Sequence, residues 1–292
     1  MRFMRPDAGL LGPGSVTWQL HADPAMWIAG VTSLYLQSLH PYAARAVVGN
    51  STFREDPVGR LLRTADFVGV TSYGTTAEAE AAGARVRAVH RSLRARDEHG
   101  RTFRVDEPEL LLWVHCAEVY SFVTVVRRAG FRLADAQVDR YYAEQRRIAA
   151  LVGLHAEDVP GSAREMAAYF AAIRPSLRCG ADSEVVYRFL RRPPLTGAVR
   201  FGLGAYEPLV GRLAYALLPS WAVALHGRRP YSAATATVAL RSLRALALAV
   251  PAHVRWRYPG GHVNRAVARL GKAATPSRAL LSDRSMIGKP PR

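Results

Sequence analysis

The sequence has few of the residues on which cross-linked and metal-stabilised proteins depend. Only two of its 292 residues are cysteine, Cys116 and Cys179, and they do not form a CxxC pair. Disulfide frameworks and structural zinc sites need more cysteines at closer spacing, so both are excluded and a reducing, cytoplasmic location is expected. A chain of this length can bury a substantial core without such cross-links.

Patterns typical of several large enzyme classes are also missing. The sequence contains no HExxH or HxH metal-binding pattern, no GxGxxG or GxxxxGK[ST] nucleotide loop and no GxSxG nucleophile elbow. Zinc hydrolases of that type, nucleotide-binding α/β enzymes and α/β-hydrolases are therefore not indicated.

Long hydrophobic runs are lacking as well. Residues 1–20 are basic but have no uninterrupted apolar core and no small-residue cleavage site, which makes them a poor secretory signal. Apolar runs such as residues 213–225 fall short of the roughly 20 residues that span a bilayer. We expect a soluble protein, or one that contacts a membrane only at its surface.

Acidic residues are scarce in the C-terminal third. Residues 185–292 contain sixteen arginines and two lysines against Glu207 and Asp283, a net charge of +16, while the whole chain carries +17. Such a field attracts nucleic acid, anionic lipid, a phosphorylated substrate or an acidic protein, and solubility alone is an equally weighted explanation. No helix-turn-helix pattern or alternation of aromatic and basic residues accompanies the charge, so no nucleic-acid partner is expected.

Helix signals dominate what is present. The pairs Asp23-Pro24, Asp56-Pro57 and Thr75-Thr76 place capping residues before helices that are predicted to end near residues 39, 74 and 96. Further helices are predicted over residues 42–48, 109–130, 133–151, 162–173, 183–190, 206–217, 219–226 and 232–250. A turn at residues 97–100 predicts one small hairpin. The predicted fold class is all-α.

Paired prolines give the clearest internal boundary. Pro193-Pro194 ends a helix close to the point where the charge composition changes. We predict a single multi-helix domain over residues 1–271, with a basic helical extension from about residue 195 packed on the first part. Residues 272–292, rich in Ser, Pro and basic residues, are predicted to be a disordered tail.

Histidines on apolar helical faces are the chemistry-bearing residues that remain. On the helix from residue 76, the spacing of Ala82, Val86, Val89 and Leu93 predicts a buried stripe, with His90 at its edge. Arginines 87 and 94 lie about one turn before and after the histidine. A neutral imidazole in this position suits an axial ligand to haem iron, and the neighbouring arginines would pair with the haem propionates. A hydrogen-bonded core histidine is the commoner role of a single buried His.

Two other histidines are also candidates for the functional site. His115 shares one face of a strongly apolar helix with Val119, Phe122 and Val126, so it also points inward, and periodicity does not rank it against the first histidine. His40 precedes a proline at a predicted helix kink, where some backbone groups lose their helical hydrogen bonds. These groups either face a cavity or a cap, or one of them is hydrogen-bonded by the His40 ring.

A third feature is a polar stripe inside an apolar helix. Arg60, Arg63 and Thr64 follow the i, i+3, i+4 spacing that places side chains on one face, and Phe67 and Thr71 extend it. The stripe is a candidate wall for a bound group.

Several segments in series resemble the bacterial branch of the MpaB and rubber-oxygenase catalytic-domain family. The similarity runs from about residue 15 to 265 and rests on residues 27–41, 51–67, 84–94, 106–122, 192–195 and 217–221. The resemblance implies an all-α bundle with a globin-like core that holds one b-type haem. Val86, Arg87, His90 and Arg94 match the VRxxHxxxR-like context of the family's proximal histidine, which favours His90 over His115 as the iron ligand.

The resemblance also implies a role for the polar stripe, on the distal side of the haem. Arg60, Arg63 and Thr64 stand where the latex-clearing enzymes carry a distal RxxKT sequence, but Arg63 replaces the lysine, and a guanidinium has no lone pair for iron. Those enzymes also use an acidic residue on this side, whereas no carboxylate occurs between residues 23 and 55. His40 or Gln37 is therefore expected to handle proton transfer.

Together these features imply a haem b-dependent oxygenase or oxidoreductase that acts with dioxygen or peroxide on a small, largely apolar molecule, isoprenoid or lipid-like. The catalytic candidates are Arg60, Arg63, Thr64 and His40, and the cofactor-binding candidates are His90, Arg87, Arg94, Phe67 and His115. The alternatives are a haem- or small-molecule-binding protein without turnover, and an arginine-rich helical module that binds anionic membrane or nucleic acid.

Overall fold

A computed structural model describes residues 6–50, 55–194 and 202–281. The first helices are α1 (Val16–His21), α2 (Met26–Gln37), α3 (Pro41–Asn50), α4 (Pro57–Tyr73), α5 (Thr76–Ser92), α6 (Pro108–Arg128), α7 (Asp135–Leu151), α8 (Ala163–Ile173) and α9 (Ala181–Arg191). They are followed by α10 (Leu203–Tyr206), a π-helical stretch (Glu207–Gly211), α11 (Arg212–Ala216), α12 (Ser220–His226), α13 (Ala233–Ala249), α14 (Ala252–Arg255) and α15 (His262–Leu270). The predicted all-α class is confirmed, and the globin-like core that the resemblance implies stays a prediction.

The predicted hairpin is present between α5 and α6. Strands β1 (Arg94–Arg96) and β2 (Thr102–Arg104) pair antiparallel. Asp97 closes the turn because its carboxylate accepts the backbone amides of His99 and Arg101, each at 2.9 Å.

Local capping chemistry explains where α4 and α5 begin. The Asp56 carboxylate accepts the Gly59 amide at 2.9 Å, and Thr75 and Glu78 form a reciprocal capping box. The corresponding prediction for α2 was wrong. Asp23 accepts the amide of residue 25 instead, and it forms a turn before the helix.

The core is built on the antiparallel pair α2 and α6. The Trp113 indole near the start of α6 donates to the carbonyl of Gln37 at the end of α2, at 2.9 Å. The C-terminal helices share this core, since the hydroxyl of Tyr35 on α2 donates to the Gly211 carbonyl at 3.1 Å.

Helix α6 is long and apolar enough to cross a membrane, which differs from the expectation based on apolar runs. Twelve of its residues are buried inside the fold, as they are in the central helix of any packed core. Two further helical segments, Gly204–Ala216 and Ser220–His226, are long and apolar enough to span a membrane only when they are counted as one. The chain bends by 115° between them.

Helices α4 and α5 pack against each other, and each is also held by other helices. Helix α4 packs on α1 and α15, and α5 packs on α7; neither has α6 among its main partners in the described ranges. Gly83 allows the close approach of α5 to α7, since a Cβ there would lie 2.7 Å from the Leu151 carbonyl oxygen. His262 on α15 bonds to Asp66 on α4 at 2.6 Å.

Helix α5 differs from its prediction in two respects. It ends at Ser92, because Leu93 is extended and the next residue begins β1. The predicted buried stripe was wrong at Val89, which is 55% exposed. The buried positions are residues 79, 82 and 83, so the inward face is rotated towards the smallest side chains, which allow the closest packing on the neighbouring helices.

The first part of the predicted tail packs on the fold. The Trp18 indole donates to the Ala274 carbonyl at 3.0 Å, and the Ser277 amide donates to the Gln19 side chain at 2.6 Å. Residues 272–281 therefore lie against α1. The rest of that tail, residues 282–292, and residues 195–201 after the predicted proline boundary lie outside the described residues.

Candidate functional site

Three histidines carry a buried ring nitrogen that has no hydrogen-bond partner among the described residues. The atoms are Nδ1 of His40, Nδ1 of His90 and Nε2 of His115. A buried nitrogen without a partner is costly, so each of these atoms is a candidate to bind a water molecule or another group.

Burial keeps these rings neutral near pH 7. It lowers the pKa of His115 to about 4. Burial, with a smaller contribution from Arg178, lowers the pKa of His40 to about 4. Burial also lowers the pKa of His90, against an opposing effect of Asp106. A neutral imidazole has a lone pair that can bind a metal.

The two arginines predicted to flank His90 are bonded to the backbone. The Arg87 guanidinium donates to the Leu151 carbonyl and so ties α5 to α7. Arg94 donates to the carbonyls of residues 91 and 93 at 2.6 and 2.8 Å. Because α5 ends at Ser92, Arg94 lies on β1 and not one helical turn beyond His90.

A cationic cavity of about 440 Å³ lies between α3 and the hairpin that follows the His90 helix. Arg45, Arg94 and Arg96 are its charged lining residues. The first of them is also paired with Asp182 at 2.8 Å. Guanidinium groups in this arrangement suit carboxylates or phosphates.

The polar stripe on α4 is divided between the interior and the surface. Arg60 and Phe67 are half-buried, and burial, with a smaller contribution from Arg63, lowers the pKa of Arg60. Arg63 is 62% exposed and pairs with Asp56 at 3.0 Å. Thr64 is exposed, and its hydroxyl donates to the Arg60 carbonyl at 3.2 Å. The structure brings Arg60 and Phe67 inward and directs Arg63 and Thr64 to solvent.

His40 lies at the junction of α2 and α3. The centroid of its ring is 6.0 Å from that of Trp113 and 5.9 Å from that of Tyr42. The Tyr42 ring packs in turn on Phe103 of the hairpin. His40 therefore belongs to the same α3 and hairpin region as the cationic cavity.

The face of α6 that carries His115 contains a residue that sequence reasoning missed. Glu118 follows His115 by three positions, and burial raises the pKa of its carboxyl to about 7. It is the single acidic residue between positions 110 and 128. A lone carboxylate in a long apolar helix was the signal that could have identified it.

His21 was also missed, and its surroundings are those of a structural residue. Its ring nitrogens lie 2.8 Å from the Ser72 hydroxyl and 3.1 Å from the Tyr141 hydroxyl. Burial lowers the pKa of His21 to about 3. Both nitrogens are occupied, so His21 connects α1 to α4 and α7.

The described part of the chain contains no group of three or more His, Cys, Asp or Glu side chains that could hold a metal ion by themselves.

The neutral state of His115 predicts an acid-sensitive fold. Its pKa of about 4 in the folded state lies below the usual 6.5, so the unfolded chain takes up the proton first as the pH falls. The contribution of this residue to stability is present above about pH 6.5, and about 3 kcal/mol of it is lost towards pH 4. Urea unfolding across this range should show a shallower pH dependence for His115→Gln than for the wild type.

A matched control is His253→Gln, at an exposed position. It should leave the pH dependence of the unfolding free energy as it is in the wild type. Equal slopes for the wild type and His115→Gln would show that His115 is solvated in solution.

The chain matches the model of a known family. The profile described as "ER-bound oxygenase mpaB/B'/Rubber oxygenase, catalytic domain" matches residues 18–252. That span contains the candidate residues on α4, α5 and α6. No curated protein and no solved structure matched the chain.

Proposed function

The chain belongs to the family of MpaB and rubber-oxygenase catalytic domains, and from that premise we propose that it is a haem b-dependent oxygenase or related oxidoreductase acting on a small, largely apolar molecule. The family is one of oxygenases; the haem and the substrate class are the proposed parts. The observation that carries the haem is the buried Nδ1 of His90, on a neutral ring with no partner for that atom in the described ranges.

The haem would be held by residues on α5, on α6 and in the β-hairpin. His90 would hold the iron, and His115 is the alternative ligand because its Nε2 also lacks a partner in the part of the chain described. The cavity lined by Arg45, Arg94 and Arg96 would take the propionates. Arg87 would support the site indirectly, by holding α5 on α7.

The α4 residues would set the polarity of the distal wall. When bound, haem supplies the activation of dioxygen or peroxide. Arg60, a half-buried cation, would stabilise negative charge that develops during the reaction, and Phe67 would contribute apolar surface. Arg63, which Asp56 holds at the surface, and Thr64 would act at the entrance to the site.

Glu118 is a better candidate than His40 for holding a proton. With a pKa of about 7, its carboxyl is present in both protonation states at neutral pH, so it can release and take up a proton. His40, with a pKa of about 4, would act as a neutral hydrogen-bonding group.

The test is to purify the protein after expression with haem supplied, and to record its absorption spectrum and its oxygen uptake. We expect a Soret band that scales with the protein, and oxygen consumption with unsaturated isoprenoids or lipids. A folded protein that refuses haem would contradict the proposal.

Haem binding without turnover is the second candidate function. It is favoured by the exposed positions of Arg63 and Thr64, which leave fewer polar groups on the distal wall than the sequence pattern implies. A Soret band without consumption of oxygen or peroxide would distinguish it from the enzyme.

A further inference from the structure

The C-terminal helices expose an unusual amount of apolar surface. Val238 and Leu246 on α13 are 65% and 70% exposed, and Tyr258 beyond α14 is 72% exposed. Helix α13 also buries Ala236 and Leu240 on its inner side, so it is apolar on both sides. A helix at the surface of a protein in water normally has a polar outer face.

A second apolar feature is a groove beside α13. It has a volume of about 340 Å³ and is lined by residues from the start of α2, the π-helical stretch and α13. Trp27 and Leu209 on its walls are exposed. Its charged lining residue, Arg244, is bonded to Asp23 at 2.7 Å, so the groove itself is apolar.

The chain segment that forms α11 to α15 is rich in cations and has no acidic residue of its own. Residues 208–282 contain ten arginines and one lysine but no Asp or Glu. Two of these arginines are exposed: Arg241 lies three positions after Val238 on α13, and Arg257 directly precedes Tyr258. Apolar side chains next to an excess of cations are the combination that binds anionic lipid surfaces.

We propose that α13, α14 and the adjoining groove dock the protein on an anionic membrane surface. The apolar side chains would enter the interface between headgroups and acyl chains, and the arginines would bind lipid phosphates. A second copy of the chain fits this surface less well, because a symmetric contact would bring the same positive charges together. Nucleic acid would use the arginines but would leave the exposed aliphatic side chains without a partner. The inference is independent of the haem chemistry.

Vesicle co-sedimentation tests the proposal with the full chain. We expect the protein to bind phosphatidylcholine vesicles that contain phosphatidylglycerol and to bind pure phosphatidylcholine weakly. The double variant Val238→Glu, Leu246→Glu should lower binding at least about tenfold, because it removes apolar contact and adds repulsion from the lipid charge. Raising the salt from about 0.1 M to about 1 M should also weaken binding, since the Debye length falls from about 10 Å to about 3 Å.

The matched control is Val89→Glu, which changes a similarly exposed valine on α5 and should bind as the wild type does. Arg257→Glu changes an exposed side chain and should also weaken binding, which keeps the proposal testable if the double variant fails to fold. Unchanged binding in these variants, or no preference for anionic vesicles, would overturn the proposal. So would a wild-type dimer that the double variant dissociates, or binding to double-stranded DNA that exceeds binding to vesicles.

Discussion

His90→Ala is expected to abolish the Soret band of the haem-loaded protein. The imidazole is the proposed iron ligand, and its buried Nδ1 has no other partner among the described residues. Loss of a group that merely orients a metal ligand costs about 10–100-fold in affinity, so loss of the ligand itself should cost at least about 100-fold. Haem titration followed by absorption measures the effect. Because His90 is only half-buried, the variant should remain folded.

His115→Ala is the matched control for this prediction. It should keep the Soret band, although its unfolding free energy should fall because His115 is buried in the core helix. Added imidazole should restore the band in His90→Ala. A band that persists in His90→Ala and disappears in His115→Ala would transfer the iron ligand to His115.

Asp23→Ala is expected to lower the unfolding free energy by about 3–5 kcal/mol, the usual cost of removing one partner of a buried ion pair. The Asp23 carboxylate is 4% exposed and accepts Nε and Nη2 of Arg244 at 2.7 to 3.0 Å. It also accepts the amide of residue 25, at the turn before α2. Its loss would leave the guanidinium without its partner and the turn without its acceptor. Urea unfolding followed by circular dichroism measures the change.

The double variant Asp23→Ala, Arg244→Leu should recover part of this loss, because it leaves no isolated charge. Asp135→Asn is the surface control. Its ion pair with Arg127 joins two exposed side chains at 3.3 Å, and its loss should cost less than about 1 kcal/mol. If Asp23→Ala is no more destabilising than Asp135→Asn, the pair is solvated and does not anchor α13 to α2.

Helix starts and the fold class could be predicted because they depend on neighbours in the chain. Asp56 and Thr75 cap the helices that follow them through bonds that span only three residues. Asp23 has the same sequence pattern, but its carboxylate is bound by Arg244, more than two hundred residues away, and α2 starts later than predicted. A tertiary partner therefore overrode the local signal.

The sequence by itself determined the helical class, the hairpin, the caps of α4 and α5, and the family to which the chain belongs. Only the tertiary structure decided which faces turn inward. Val89 is exposed because Gly83 brings the other side of α5 against Leu151, and Arg63 is held outward by Asp56. Helical periodicity states which residues share a face; burial, and with it the pKa of Glu118, depends on what packs against that face.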